Sequence, residues 1–172
     1  ALGSALERGY AGFEDLGWPD RAARAEARLG ERDTWSWSEV WDVLIDALGR
    51  IADLPWQAQI VGGTHDAGVL AALQAQAAPL GDRLRFRGRM QEGELARLYR
   101  QASVFALATR YEGYGMVLGE ALVHGLPIVT CAAGAVPETV PEGTGHLVPV
   151  DDAAAFAAKA KKRASSDSDR AP

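Results

Sequence analysis

The stretch Glu112-Gly-Tyr-Gly-Met-Val-Leu-Gly-Glu120 decides how the rest of the chain is read. A carboxylate stands at each end, and Gly113 and Gly115 interrupt its first half. The apolar run Ser103-Val-Phe-Ala-Leu-Ala108 precedes it and reads as a buried strand, and Met116 to Val123 follows as a helix-compatible run. The local expectation is a strand, a glycine turn and a helix whose first turn is open to an anion. Glycine lets the backbone approach a ligand closely, and free N–H groups at a helix N-terminus bind phosphate or ordered hydroxyls. Glu112 in the loop and Glu120 about a turn into the helix then suit a hydroxyl-rich ligand such as a ribose or a hexose. The competing account is a helix-capping carboxylate followed by a solvated helix face.

Working outward, strands and helices alternate from Asp42 onward, as a doubly wound α/β sheet requires. Val43, Leu44, Ala47, Leu48 and Ile51 recur at helical spacing. Gln57 to Val61 reads as a strand, Ala67 to Ala78 as a helix, Leu84 to Phe86 as a strand and Glu92 to Gln101 as an amphipathic helix. Beyond the central stretch come a strand from Pro127 to Cys131, a turn and helix at 136–140, a strand from His146 to Val148 and an alanine-rich helix at 152–161. The expected organisation has three parts. Residues 1–38 form an atypical segment with helices at Ser4–Leu16 and Arg21–Leu29; residues 39–162 form a Rossmann-like domain; residues 163–172 form a polar, disordered tail.

Composition narrows the class. With 172 residues, 48% hydrophobic and 24% charged, the chain is long enough for one domain with a sizeable core. A net charge of −5 gives no global support to nucleic-acid binding. Cys131 is the sole cysteine, which excludes an intrachain disulfide and reads as a core thiol. No apolar run is long enough to span a bilayer, and membrane contact by this domain is not expected.

Residues 111–149 resemble the C-terminal domain of the retaining GT-B glycosyltransferases that carry a Glu-x7-Glu signature. The resemblance rests on Tyr111-Glu-Gly-Tyr-Gly-Met-Val-Leu-Gly-Glu120, on the Gly125-Leu-Pro127 strand start, on Ala135-Val-Pro-Glu-Thr-Val140 and on Gly145-His-Leu-Val-Pro149. It extends weakly to about Asp42 and Lys159. It implies a single α/β domain, a Rossmann-like parallel sheet with helices on both faces, that binds a nucleotide-diphosphate sugar for retaining transfer. Glu112 is implied as the catalytic-site carboxylate that meets the donor sugar, and Glu120 as the acceptor for ribose hydroxyls. Gly113, Tyr114, Gly115 and Met116 are implied as donor-binding, and Gly134-Ala-Val-Pro-Glu138 as the loop beside the donor phosphates. A bacterial, cytoplasmic enzyme with no cofactor and no metal set is the corresponding expectation.

Two departures stand against that family pattern. Its domain opens with an apolar strand, then an Arg and a Lys-Gly that hold the donor diphosphate. Asp33-Thr-Trp-Ser-Trp-Ser-Glu-Val-Trp41 contains no Arg and no Lys. The first strand is central in this topology, so it is expected to be missing, or replaced by residues 34–38. The second departure is that only one domain fits in this length, whereas the acceptor is held mostly by the other domain. A truncated, non-catalytic nucleotide-sugar-binding or partner module is therefore the alternative function.

Further candidates follow from position. Gly62 and Gly63 end a strand and can approach a ligand at the carboxyl edge of the sheet, although a Gly-Gly pair is also a common turn. Arg110 is the candidate replacement cation for the diphosphate. Arg87 and Arg89 flank Gly88 as a basic rim. His65, His124 and His146 do not cluster in sequence, and no zinc spacing is present. Trp35, Trp37 and Trp41, if outside the core, mark a surface on which a chain carrying an acceptor domain docks.

Overall fold

The structure is a computed structural model that describes residues 38–62 and 66–168, with side chains described from 41 to 162. Residues 1–37, Gly63 to His65 and 169–172 lie outside it, and with them the two expected N-terminal helices, the Trp35 and Trp37 surface, and Gly63. All that is described belongs to one compact unit beginning at Ser36.

Its elements run α1 (Ser38–Arg50), β1 (Ala58–Val61), α2 (Ala67–Ala77), a 3-10 turn (Ala78–Arg83) and β2 (Leu84–Gly88). They continue as α3 (Glu92–Gln101), β3 (Phe105–Leu107), α4 (Met116–Val123), β4 (Ile128–Cys131), α5 (Val136–Thr139), β5 (Gly145–Val148) and α6 (Ala153–Ser168). Every ladder is parallel: β1 with β2, β3 with β4, and β4 with β5.

Among the described residues the sheet is in two pieces. One piece holds β1 and β2, the other β3, β4 and β5 in that order. A doubly wound order would put the strand before α1 between β1 and β3. Among the described residues no strand joins them. Ser38, the last of the residues proposed as a substitute strand, is already in α1, and 34–37 are outside the described chain.

Three apolar clusters hold the layers together. In β4 alternate side chains go to opposite faces: Val129 and Cys131 enter a cluster with Ala47 of α1 and Phe156 of α6. Ile128 enters the other, with Tyr99 of α3, Leu118 and Ala121 of α4 and Val136 of α5. The three-stranded piece is therefore covered by helices on both faces. The third cluster joins Ile60 and Leu84 of the two-stranded piece to Trp41 and Ile45 of α1 and Leu73 of α2. Leu48 and Trp56 pack against the clusters of both sheet pieces, so α1 and the loop after it bridge the division.

Two sequence expectations change here. Trp41 is buried at 8% exposure among Ile45, Ile60 and Leu73, so it is core and not part of a docking surface. It sits on α1 at helical spacing from Ile45 and Leu48, which turns it toward β1. The tail expected to be disordered from 163 continues α6 through Ser168. Its Lys161-Lys-Arg-Ala start is made of good helix formers and extends an already nucleated helix.

Candidate functional site

The site is built around the turn from β3 into α4. Gly115 is the N-cap of α4, in a left-handed conformation at φ 79°, which glycine adopts without the steric cost of a Cβ. That missing Cβ would lie 2.9 Å from Thr139 Cγ2. Gly115 is thus needed for the turn and for contact with α5, a packing reason that the expected close approach to a ligand did not include. The opposite end of α4 closes on Gly125 at φ 70°. Leu126 N–H donates to Ala121 O at 2.9 Å and Gly125 N–H to Leu122 O at 2.9 Å, a Schellman-type stop with Leu126 buried.

Glu112 serves the turn as a cap. Its Oε1 accepts from Gly115 N–H at 2.9 Å and, at a longer 3.5 Å, from Tyr114 N–H. The capping account of this carboxylate is therefore correct as far as it goes, and the Gly115 amide is occupied by Glu112 instead of being open. Among the described residues the N–H groups of Met116 and Val117 meet no protein acceptor; both residues are exposed, and these groups belong to the set that a helix start leaves unsatisfied.

The loop after β4 is locked onto this turn. Ala135 N–H donates to Glu112 O at 2.8 Å. A Cβ on Gly134, at φ +57°, would fall 2.2 Å from the same oxygen. Thr139 Oγ1 donates to Tyr114 O at 3.1 Å. Two segments separated by 18 residues, the Glu112–Gly115 turn and the Gly134–Thr139 loop, thus form one rigid corner at the carboxyl end of the sheet.

Glu120 stands four residues into α4, about 6 Å along its axis. Its carboxylate is fixed from the neighbouring helix, where Tyr99 Oη donates to Oε2 at 2.9 Å. Tyr99 is itself wedged between His124, stacked at 5.0 Å, and Phe105 at 6.0 Å. Burial first, then the hydrogen bond and charge of Glu120, push the Tyr99 phenol far above its ordinary range, so it remains a donor. Sequence periodicity placed Tyr99 only on the apolar face of α3. No local pattern reveals a bond to a residue on another helix.

The remaining candidates separate. Arg110, 19% exposed, holds Asp151 Oδ1 through Nε at 2.5 Å. Asp151 was not singled out in the sequence; it lies at φ 61°, the one non-glycine residue with positive φ among those described. Gly62 N–H is taken by Gly88 O at 2.9 Å, and a Cβ there would meet Trp41 at 3.3 Å. Gly62 therefore packs within the small sheet. Gly113 is exposed in the turn. Among the described residues no group of three or more His, Cys, Asp or Glu side chains is placed to hold a metal ion, and no helix is long and apolar enough to cross a membrane.

Comparison with known proteins adds to this geometry. Residues 32–165 match the family described as Glycosyl transferases group 1. A D-inositol 3-phosphate glycosyltransferase of Streptomyces coelicolor is 39% identical over 103 residues, 57% of this chain and 22% of that protein. The chain thus spans about a quarter or less of the length of that curated relative. Among solved structures, sucrose-phosphate synthase of Thermosynechococcus elongatus is similar at 34% identity and a TM-score of 0.62, covering 71% of this chain and 32% of that one. The Anabaena protein Alr3699/HepE, solved with UDP and glucose, is similar at 27% identity and a TM-score of 0.60, covering 71% of this chain and 36% of that one.

Proposed function

Because this chain belongs to the Glycosyl transferases group 1 family, we propose that residues 39–162 are the donor-binding domain of a retaining glycosyltransferase that uses a nucleotide-diphosphate sugar. The observation that carries the reading is the corner at the carboxyl end of the sheet, where Glu112, the start of α4 and the Gly134–Thr139 loop are held as one piece. The similar Anabaena protein was solved with UDP and glucose, which favours a uridine diphosphate hexose.

In this reading the exposed N–H groups of Met116 and Val117 receive the diphosphate, favoured by the positive end of the helix. Only Oε1 of Glu112 is engaged in capping, which leaves Oε2 for hydroxyls of the donor sugar. Glu120 accepts from the ribose hydroxyls. Transfer then proceeds on the face from which the diphosphate leaves, without a protein nucleophile, and the helix dipole stabilises the charge that develops on the leaving oxygen.

A second reading, a nucleotide-sugar-binding module without turnover, is favoured by two observations. Asp33 to Trp41 carries no cation, and Arg110 is engaged with Asp151. Calorimetry with a panel of nucleotide sugars tests what both readings share. A uridine diphosphate hexose is expected to bind, and Glu120→Ala to weaken it by roughly 1–3 kcal/mol, the cost of losing a charged acceptor. Equal affinity in both proteins, or no binding in either, sinks the donor site. Sugar transfer separates the two readings. These 172 residues by themselves are expected to bind without transferring, since orienting two bound reactants supplies up to about 7–11 kcal/mol and the acceptor is held mostly by the other GT-B domain.

A further inference from the structure

We propose that Tyr99 is a positioning residue that aims the Glu120 carboxylate at the ribose of the bound nucleotide, and so sets the preference of the site for ribose over deoxyribose. The inference rests on the reading of Glu120 as the ribose acceptor. Glu120 is exposed on α4, and a free glutamate side chain loses rotamer entropy when a ligand immobilises it. Here that ordering is already done. Tyr99 is only 8% exposed, its ring is fixed by His124 on one side and Phe105 on another, and its hydroxyl reaches Glu120 Oε2 at 2.9 Å. A carboxylate held in advance binds with less entropic loss than a mobile one.

The chemistry of the bond also suits the role. An ionised carboxylate has about four acceptor positions on its two oxygens, and a tyrosine hydroxyl occupies one of them. Oε1 and the second lone pair of Oε2 stay available to the paired hydroxyls of a ribose. A cationic partner would have neutralised the carboxylate; a neutral phenol steers it and leaves its charge intact. The raised phenol pKa keeps the donor protonated through the physiological range.

The test uses the 172-residue chain and four proteins: wild type, Tyr99→Phe, Glu120→Ala and the double variant. Each is titrated calorimetrically with the tightest-binding member of UDP, GDP and ADP and with its 2′,3′-dideoxy counterpart. Tyr99→Phe removes one oxygen and keeps the ring that packs on His124 and Phe105, so the fold is retained, as a melting curve will check. Wild type is expected to favour the ribonucleotide at least about tenfold, the effect of one charged hydrogen bond. Tyr99→Phe should reduce that ratio several-fold while leaving the affinity for the dideoxy compound unchanged. The double variant should match Glu120→Ala, because the hydroxyl acts only through the carboxylate. A merely structural role would instead weaken both nucleotides alike. If Glu120→Ala loses the ribose preference but Tyr99→Phe keeps the wild-type ratio, the positioning role is wrong and the ribose reading stands. If wild type shows no ribose preference, or no nucleotide binds, the ribose reading fails and this inference with it.

Discussion

Gly134 shows how much one missing methyl group decides. Its Cβ would sit 2.2 Å from Glu112 O, inside the bond that Ala135 N–H makes to the same oxygen at 2.8 Å. The atoms it would meet are the backbone of Glu112, which cannot swing away as a side-chain tip can. Gly134→Ala is therefore expected to destabilise the protein by about 1–3 kcal/mol, through overpacking and a left-handed φ together. It should also weaken nucleotide-sugar binding at least about tenfold, because it displaces the turn that carries Glu112. Gly81 provides the control. It has a positive φ of +56° with ψ −143° and nothing within 4 Å of the added Cβ, so Gly81→Ala should cost about 1–3 kcal/mol of backbone strain alone and leave binding unchanged. Urea denaturation and calorimetry on the two variants check both numbers.

Among the elements, the loop from α1 to β1 depends on a residue from a different segment. Arg83, at the end of the 3-10 turn, donates to Ala52 O at 2.7 Å, to Leu54 O, and to Trp56 O at 3.3 Å. Its guanidinium also lies 4.2 Å over the Trp56 ring, and Trp56 Nε1 donates to Ile51 O at 2.8 Å. One planar fork gathers three carbonyls of the loop that follows α1. A lysine carries the charge without the fork. Arg83→Lys is expected to lower stability by about 2 kcal/mol, the net value of one to two charged hydrogen bonds plus stacking. The midpoint in urea should fall with the slope unchanged; an unchanged midpoint would mean the fork contributes nothing net. Binding at α4 should be unaffected, since Arg83 and α4 serve different sheet pieces.

For the whole molecule, the buried thiol of Cys131 gives the stability an alkaline limb. It is 2% exposed on β4, the strand shared by two clusters. Burial first, and then the charge of Asp151, push its pKa from the ordinary 9.0 up to about 11. A folded-state pKa above the unfolded one favours folding while the group is protonated. The contribution is present in full below the unfolded value and is lost as pH rises through the folded one. Tyr99, also raised, acts in the same direction at higher pH. The melting temperature is therefore expected to fall between about pH 9 and pH 11, and to fall less steeply in Cys131→Ala over that window. Parallel slopes for the two proteins would remove Cys131 as the cause.

The sequence by itself determined the succession of elements. Glu92–Gln101 and Met116–Val123 are helices over the very residues that periodicity and punctuation indicated, because hydrophobic spacing and glycine stops act over a few neighbours. It also placed Glu112 and Glu120 on a turn and the helix after it. Only the tertiary structure decided which groups those carboxylates meet. Glu112 caps Gly115, Tyr99 crosses from α3 to hold Glu120, Asp151 takes Arg110, and Gly134 makes room for Glu112. Each of these is a contact between segments that the sheet order brings together, Glu112's own cap excepted. The pairing of the described strands likewise needed the tertiary structure: a strand's partner is chosen by the packing of the helices around it, which no stretch of sequence shorter than the domain encodes.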